Sequence, residues 1–447
     1  MKSNNRYIRK IISDNGLNHR EDVKKFIEMN ADSLPLADLS RIAELVNNGR
    51  VETSAYYTDE LILDEIYKYL PEINKDEIRV LEPSVGVGNF LQPIIDKYSK
   101  AKKLIIEIND IDEKSLELLK ILNKYRKIPK NVEIIYHNED YLGQLNSFST
   151  EKFDLVIGNP PFSKINKQSG LEIYSTLFND EYSKNLSSFF IQKSVSLGEK
   201  VVMVMPKYFL NTLDFKHARE VVGKNKIDYI LDFGEKGFQG VLIETIALVL
   251  DSTLKPDTTT CISVTKKIEN VIKQKKMTDS SYPSWLLYRN EFFESIAVKM
   301  KFDVFSVFRD RQLTNSKMKK SGEVRVLKSR NISRDGSGIE SIKNYDCYIN
   351  RNEVQKYTVG KYLNRDDVFL APNMTYYPRV IKKPKGTLVN GSVAILEPKI
   401  GIEVTDDNLS FLCSNQFEKF YAIARNYSTR SLNIDANSVY FFGLYSK

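Results

Sequence analysis

The sequence predicts an α/β protein: a seven-stranded, mostly parallel sheet with helices on both faces, followed by a C-terminal α+β domain. Three observations carry that reading. Apolar strand candidates alternate with helical patterns between residues 51 and 250, and repeated βα units fold as parallel strands joined by helical crossovers. The alternation stops after the polar, proline-bearing stretch Ser252–Thr260. The third observation is a single junction. The β-branched run Phe153–Ile157 reads as a buried parallel strand, then breaks into Gly158-Asn159-Pro160-Pro161-Phe162. Two prolines cannot continue a ladder, so an amide, a stiff turn and an aromatic ring sit at the carboxyl end of a strand. In open α/β sheets that edge is where ligands bind.

Composition bounds the rest. At 447 residues, 42% apolar and 28% charged, the chain is long enough for two or three globular domains and too apolar to be disordered. No run approaches the roughly 18 apolar residues that span a bilayer, and Met1–Lys10 is charged where a secretory signal would be apolar. Cys261, Cys347 and Cys413 lie far apart without a CxxC pair, and only 3 histidines occur. Neither a disulfide framework nor a metal site is therefore expected, and the cytoplasm is the expected compartment. The net charge of +8 is unevenly spread: residues 1–265 carry −4 and residues 266–447 carry +12. A basic C-terminal half suits a polyanionic partner.

Taken in order, residues 1–50 show helical spacing over Glu21–Asn30 and Leu36–Val46, with Pro35 opening the second helix; they are expected to form a helical cap. Residues 51–255 hold the sheet, with strands at Arg79–Leu81, Lys103–Ile108, Val132–Tyr136, Phe153–Ile157, Val201–Met205, Ile227–Asp232 and Glu244–Leu250. Helical patterns at Leu61–Leu70, Glu113–Leu122 and Ser187–Leu197 fill the gaps. The link Phe233–Ile243 is too short for a crossover helix, so the last two strands are expected to pair antiparallel. Residues 265–447 form the second domain, with short strands at Val324–Leu327, Val368–Leu370 and Gly391–Leu396.

The candidate site residues lie at successive strand ends. Val80-Leu81-Glu82-Pro83-Ser84-Val85-Gly86-Val87-Gly88 is a strand, an acid and a glycine turn. Glycines let a ligand approach the backbone closely, while a carboxylate heading the turn disfavours phosphate. Glu82 thus suits a cationic or hydroxyl-bearing ligand. The second strand ends in Glu107, Asp110 and Asp112, and a carboxylate there can accept from both hydroxyls of a ribose. After the third strand, Asp140 can accept from an exocyclic amine of adenine and Tyr141 can lie against its ring.

On these motifs and Asn159-Pro160-Pro161-Phe162, residues from about 50 to 255 resemble the N6-adenine-specific DNA methyltransferases of type II restriction–modification systems. In that group the cofactor motif precedes the catalytic motif and a target-recognition domain comes last. The resemblance implies a methyltransferase sheet and S-adenosyl-L-methionine as cofactor. Thr58 would lie near its methionine moiety, bordered by Glu82, Pro83, Gly86 and Gly88. Asp110 would hold the ribose, with Glu107 and Asp112 as rivals, and Asp140 and Tyr141 would hold the adenine. Phe238 would pack on the extruded target base, with Phe233 its rival.

Chemistry explains the catalytic composition. Adenine's exocyclic nitrogen is a poor nucleophile because its lone pair is delocalised into the ring. The Asn159 side-chain carbonyl and the Pro160 backbone carbonyl can bind both amino hydrogens and localise that pair, so that an in-line displacement needs positioning more than a strong base. Pro160 and Pro161 keep the acceptors fixed, and Phe162 offers a stacking face worth roughly 1–3 kcal/mol. A base inside a duplex must be flipped out to reach them. Lys317, Lys319, Lys320, Arg325, Lys328, Arg330, Arg334, Arg379, Lys382 and Lys383 are expected to meet DNA phosphates. Arg430 falls in Asn426–Leu432, which resembles a closing segment of such recognition domains. The expected partner is double-stranded DNA bound by a monomer, with cleavage left to a separately encoded endonuclease. Methylation of cytosine N4 or structured RNA, and a specificity subunit with a degenerate methyltransferase half, are the alternatives; the intact motifs argue against the last.

Overall fold

The computed structural model describes residues 5–46, 60–144, 147–148, 151–165, 168–235, 243–373, 377–428 and 434–446. The chain divides into two units, Met1–Thr278 and Asp279–Lys447.

In the first unit the β-branched runs form β1 (Glu77–Glu82), β2 (Lys103–Asn109), β3 (Val132–His137), β4 (Phe153–Gly158), β5 (Gly198–Pro206), β6 (Lys226–Gly234) and β7 (Thr245–Asp251). Two further strands, β8 (Thr258–Ser263) and β9 (Ile268–Lys273), join the same sheet, whose order is β3-β2-β1-β4-β5-β7-β6-β8-β9. The expected seven strands are therefore nine. The stretch taken for a boundary, Ser252–Thr260, enters β8 instead of leaving the domain, and the units divide after Thr278. Its Thr-Thr-Thr-Cys-Ile-Ser sequence buries only every second side chain, so threonines on the outer face disguise a strand as a polar link.

Strands β1 to β5 run parallel. β7 lies antiparallel between β5 and β6, so the expected antiparallel pairing forms with its second strand inserted inward. Ile78 and Val80 of β1 pack in one apolar cluster with Ile62, Ile66 and Ile94 of the helices Glu60–Lys68 and Leu91–Tyr98. Leu81, which follows Val80 and points to the other face, is buried as well, with Ile105 and Val156 on neighbouring strands. Burial on both faces is why these strands read as continuous apolar runs.

From β1 the chain steps outward to β2 and β3, then returns to β4 on the other side of β1. The connections leaving β1 and β4 diverge, and a crevice opens at their carboxyl ends. Helices α1 (Asn5–Asp14), α2 (Arg20–Asn30) and α3 (Leu36–Val46) bury Ile8, Val23, Ile27 and Ile42 against Leu118 and Leu122 of the helix Glu113–Lys124. Arg20 fastens this cap through two hydrogen bonds to Asp112, 2.9 and 3.2 Å long.

The second unit has a four-stranded antiparallel sheet of Phe305–Arg309, Val393–Pro398, Phe369–Pro372 and Ile381–Lys382, and a three-stranded sheet of Cys347–Ile349, Val324–Leu327 and Thr387–Val389. Val326, Leu370 and Ile395 join their cores, and helices Asp406–Leu412 and Asn415–Ala424 follow. Among the described residues no helix is long and apolar enough to cross a membrane.

Gly88 adopts φ +78°, and a Cβ there would lie 2.7 Å from Leu119 Cδ1 and 2.9 Å from Leu91 Cδ1. Gly88→Ala is expected to destabilise the first unit by about 1–3 kcal/mol through overpacking and backbone strain. Urea denaturation followed by far-UV circular dichroism should show the lowered midpoint; an unshifted midpoint would contradict this close approach.

Candidate functional site

A cavity of about 490 Å³ occupies the crevice. Its walls are the turn after β1, the loops after β2 and β3, Asn159 and Pro161 after β4, and Arg20 and Glu44 from the helical cap. Loops at the ends of parallel strands have no ladder to hold them, and side chains take over that task. Asn109, 1% exposed, donates through Nδ2 to the Pro83 and Glu139 carbonyls, both at 3.1 Å, and its Oδ1 accepts from the Glu139 amide at 3.0 Å. The Asn109 carbonyl accepts from the Val85 amide at 2.9 Å. One residue thereby joins three strand ends.

The acids differ in what they are free to do. Glu82 is 1% exposed, and its Oε2 accepts no hydrogen bond among the described residues. Burial pushes its carboxyl well above the ordinary range, against the pull of Arg126 and with a smaller push from Asp110. Asp110 accepts from the Gly86 amide at 2.8 Å and the Asp112 amide at 2.9 Å, and Gly86 needs its φ of +54° to present that amide. Asp112 caps the helix Glu113–Lys124, accepting from the Lys114 amide, and pairs with Arg20. Glu107, its buried carboxylate 2.8 Å from Arg79 and 3.0 Å from His137, does not line the cavity.

Asp140 lines the cavity and accepts from the Leu142 amide at 3.0 Å and the Tyr174 hydroxyl at 2.9 Å. Burial and this carboxylate push the Tyr174 phenol up to about 12, so it remains a donor. Tyr141 is 1% exposed, with its hydroxyl 3.0 Å from Ser194 Oγ and its ring 5.0 Å from that of Phe190.

Asn159 and Pro161 face the same cavity as these acids, and the Asn159 carbonyl accepts from Ser84 Oγ at 3.3 Å. Phe162 differs from expectation. Its side chain is 5% exposed, lies in the apolar cluster with Ile157 and Val204, and does not line the cavity. Phe233, the rival to Phe238, is fully buried in that cluster. Thr58, Phe238 and Arg430 lie outside the described residues. Sequence reasoning missed Asn109, Ile111, Arg20 and Glu44. Ile111, 70% exposed at the cavity, carried a signal, being an apolar residue isolated between acids; the other three carried none.

Two of the ten cations expected to meet DNA are structural. Lys383 is 1% exposed and donates to the Leu363, Arg365 and Pro384 carbonyls, and burial lowers its ammonium to about 8. Arg379 is buried and donates to the Ile332, Ser329 and Tyr377 carbonyls. Both serve carbonyls in turns that lack ladder partners. Arg325 pairs with Asp346 and Lys319 with Glu353. Lys317, Lys320, Arg330, Arg334 and Lys382 are exposed, and Lys328 and Arg330 lie over the Tyr345 ring at 3.8 and 4.9 Å.

Residues 36–238 match the model of the Eco57I restriction-modification methylase family. Type II methyltransferase M.CvrRI of Paramecium bursaria Chlorella virus XZ-6E is 32% identical over 114 residues, 25% of this chain and 25% of that protein. The matched stretch thus spans a quarter of the curated relative. Among solved structures, the type IIL restriction-modification enzyme MmeI in complex with DNA matches at a TM-score of 0.46 and 12% identity, over 95% of this chain and 67% of that one. The type I restriction-modification methyltransferase subunit from Streptococcus thermophilus matches at a TM-score of 0.41 and 17% identity, over 53% of this chain and 55% of that one.

Because Glu82 holds its proton more tightly folded than unfolded, its stability contribution is full below the unfolded carboxyl range and is lost as pH rises towards the folded value. Glu82→Gln removes that dependence. The variant should match the parent near pH 4, about the unfolded value, and exceed it by about 1–3 kcal/mol at neutral pH, the usual cost of an uncompensated buried group. Denaturation curves across that pH range test this; a constant difference between the two proteins would refute it.

Proposed function

We propose that the chain is an S-adenosylmethionine-dependent DNA methyltransferase of a restriction–modification system, which methylates N6 of a flipped-out adenine within one recognition sequence. The observation that carries this reading is the meeting of two motifs in one cavity. The buried-acid turn after β1 and the Asn-Pro turn after β4 line the same 490 Å³ space, within the stretch similar to the restriction-modification methylases.

The residues present fit the cofactor. Its sulfonium and ammonium cations suit a cavity lined by Glu82, Asp110 and Asp140, above all the buried Glu82 Oε2 with no hydrogen bond of its own. In this reading Glu82, Pro83 and Gly86 hold the methionine end, joined by Thr58, while Gly88, expected beside them, does not line the cavity and instead packs against Leu119 and Leu91. Asp110 takes the ribose hydroxyls, since Glu107 is committed to Arg79 and His137 and Asp112 to its helix and Arg20. Asp140 accepts from the adenine amine, and Ile111 with Tyr141 offers the ring apolar contact. When bound, S-adenosylmethionine supplies an electrophilic methyl group.

The protein's own task is to present a nucleophile. The Asn159 side-chain oxygen and the Pro160 carbonyl accept the two amino hydrogens of the target base and hold its nitrogen lone pair out of conjugation. Neither proline has an amide hydrogen to compete for those acceptors. With the geometry held, the barrier falls mainly through positioning and fixed dipoles. Phe238 supplies the stacking surface. Lys317, Lys320, Arg330, Arg334, Lys382 and Arg430 give phosphate affinity without sequence information. The enzyme acts as a cytoplasmic monomer on double-stranded DNA, and cleavage falls to a separate endonuclease.

Asn159→Ala should lower single-turnover methyl transfer at least 100-fold, about the value of one transition-state hydrogen bond, while calorimetric cofactor affinity stays within about threefold. Transfer at the parent rate would remove Asn159 from the chemistry. Modified-base sequencing of DNA from an expressing host should show N6-methyladenine in one motif; N4-methylcytosine, or unmodified DNA, would refute the adenine reading. DNA affinity should fall about a thousandfold between 50 and 200 mM salt if six phosphates are met, and a flat response would refute phosphate contacts.

A further inference from the structure

We infer that Asn185 is a positioning residue for methyl transfer, holding the catalytic turn through the Phe162 carbonyl. This rests on the methyl-transfer reading above. Asn185 is 1% exposed and precedes the helix Leu186–Leu197. Its Oδ1 performs the ordinary work of a helix cap, accepting from the Ser187 amide at 3.1 Å and Ser187 Oγ at 2.6 Å. Serine or aspartate would serve that purpose equally well. The side-chain amide does something else. Nδ2 donates to the Phe162 carbonyl at 2.8 Å and lies 3.4 Å from the Tyr208 hydroxyl.

The turn needs such a donor because of its own composition. Pro160 and Pro161 contribute no amide hydrogens, so the segment cannot be pinned through them. It is held through its carbonyls: Ser84 Oγ reaches the Asn159 carbonyl at the entry, and Asn185 Nδ2 reaches the Phe162 carbonyl at the exit. The Pro160 carbonyl, a proposed acceptor of the target amine, lies between these anchors. Beyond the exit, the Leu186 amide donates to Ser163 at 3.0 Å and the Ile165 amide to Lys184 at 2.8 Å. The Asn185 amide is a side-chain bond that ties these two backbone-paired segments to the turn. Reactive geometry is steep in distance, so a turn free to drift by about 1 Å loses on the order of 100-fold in rate.

The test separates capping from positioning. Asn185→Asp keeps a capping oxygen and loses the donor; Asn185→Ser keeps a capping hydroxyl too short to reach Phe162. Ser187→Ala weakens the cap and leaves the donor. Single-turnover transfer of tritiated methyl from S-adenosylmethionine to unmodified genomic DNA should fall about 100-fold in N185D and N185S and stay near the parent rate in S187A. Cofactor affinity and DNA affinity should stay within about threefold of the parent in all three, placing the loss in the chemical step. A parent-like rate in N185D or N185S would show Asn185 to be a cap alone and overturn the inference while leaving the methyl-transfer reading intact. A fall in cofactor affinity as large as the fall in rate would also overturn it. No transfer by the unaltered protein would overturn both.

Discussion

The buried amide of Asn109 is the tie on which the site depends. Parallel strands leave their carboxyl ends without ladder partners, and the loops beyond them must be fixed by other means. Asn109 bonds the loop after β1 through Pro83 and the loop after β3 through both polar groups of Glu139. Asn138 returns a bond to the Asp110 carbonyl, and Asp110 holds the Gly86 amide. Loss of the bonds made by the buried Asn109 side chain would leave a buried polar group unpaired, at about 1–3 kcal/mol. The three loops are therefore held as one body, and the spacing of Glu82, Asp110 and Asp140 follows from it.

The Asn-Pro-Pro turn after β4 obeys the opposite constraint. Its prolines supply no donors, so its order comes from outside, through Ser84 at one end and Asn185 at the other. Ser84 belongs to the acid-bearing turn after β1, so one side of the cavity holds the other side in place. The two sides of the cavity are mechanically joined, and Glu82 lies two residues from that joint.

The N-terminal cap enters the same logic. Its helices pack on the helix that Asp112 opens, and Arg20 grips Asp112 directly. Arg20 and Glu44 thereby become part of the cavity wall. Only the approach of α2 and α3 in space reveals this, because nothing in residues 1–50 distinguishes these two charged side chains from the solvated ones around them.

Strands such as β2, β4 and β7 were legible in the sequence because they are buried along nearly their whole length, which demands a continuous apolar run. The half-buried edge strand β3 was legible from its β-branched and aromatic residues alone. The strand ends were legible too, since glycine, proline and acid at a strand terminus have few structural uses. β8 escaped because an edge-side strand buries alternate residues only, and its threonines resemble a turn. Lys383 and Arg379 escaped for a related reason: a cation serving buried carbonyls has the same letter as one facing solvent. The sequence by itself determined the order of the strands along the chain and the chemical character of each strand end, since both follow from local burial and backbone freedom. Tertiary structure decided that Asp110 and Asp112 line the cavity while Glu107 turns to Arg79 and His137, and which distant amides hold the cavity in shape. Those choices depend on contacts between residues far apart in the chain, which no local pattern encodes.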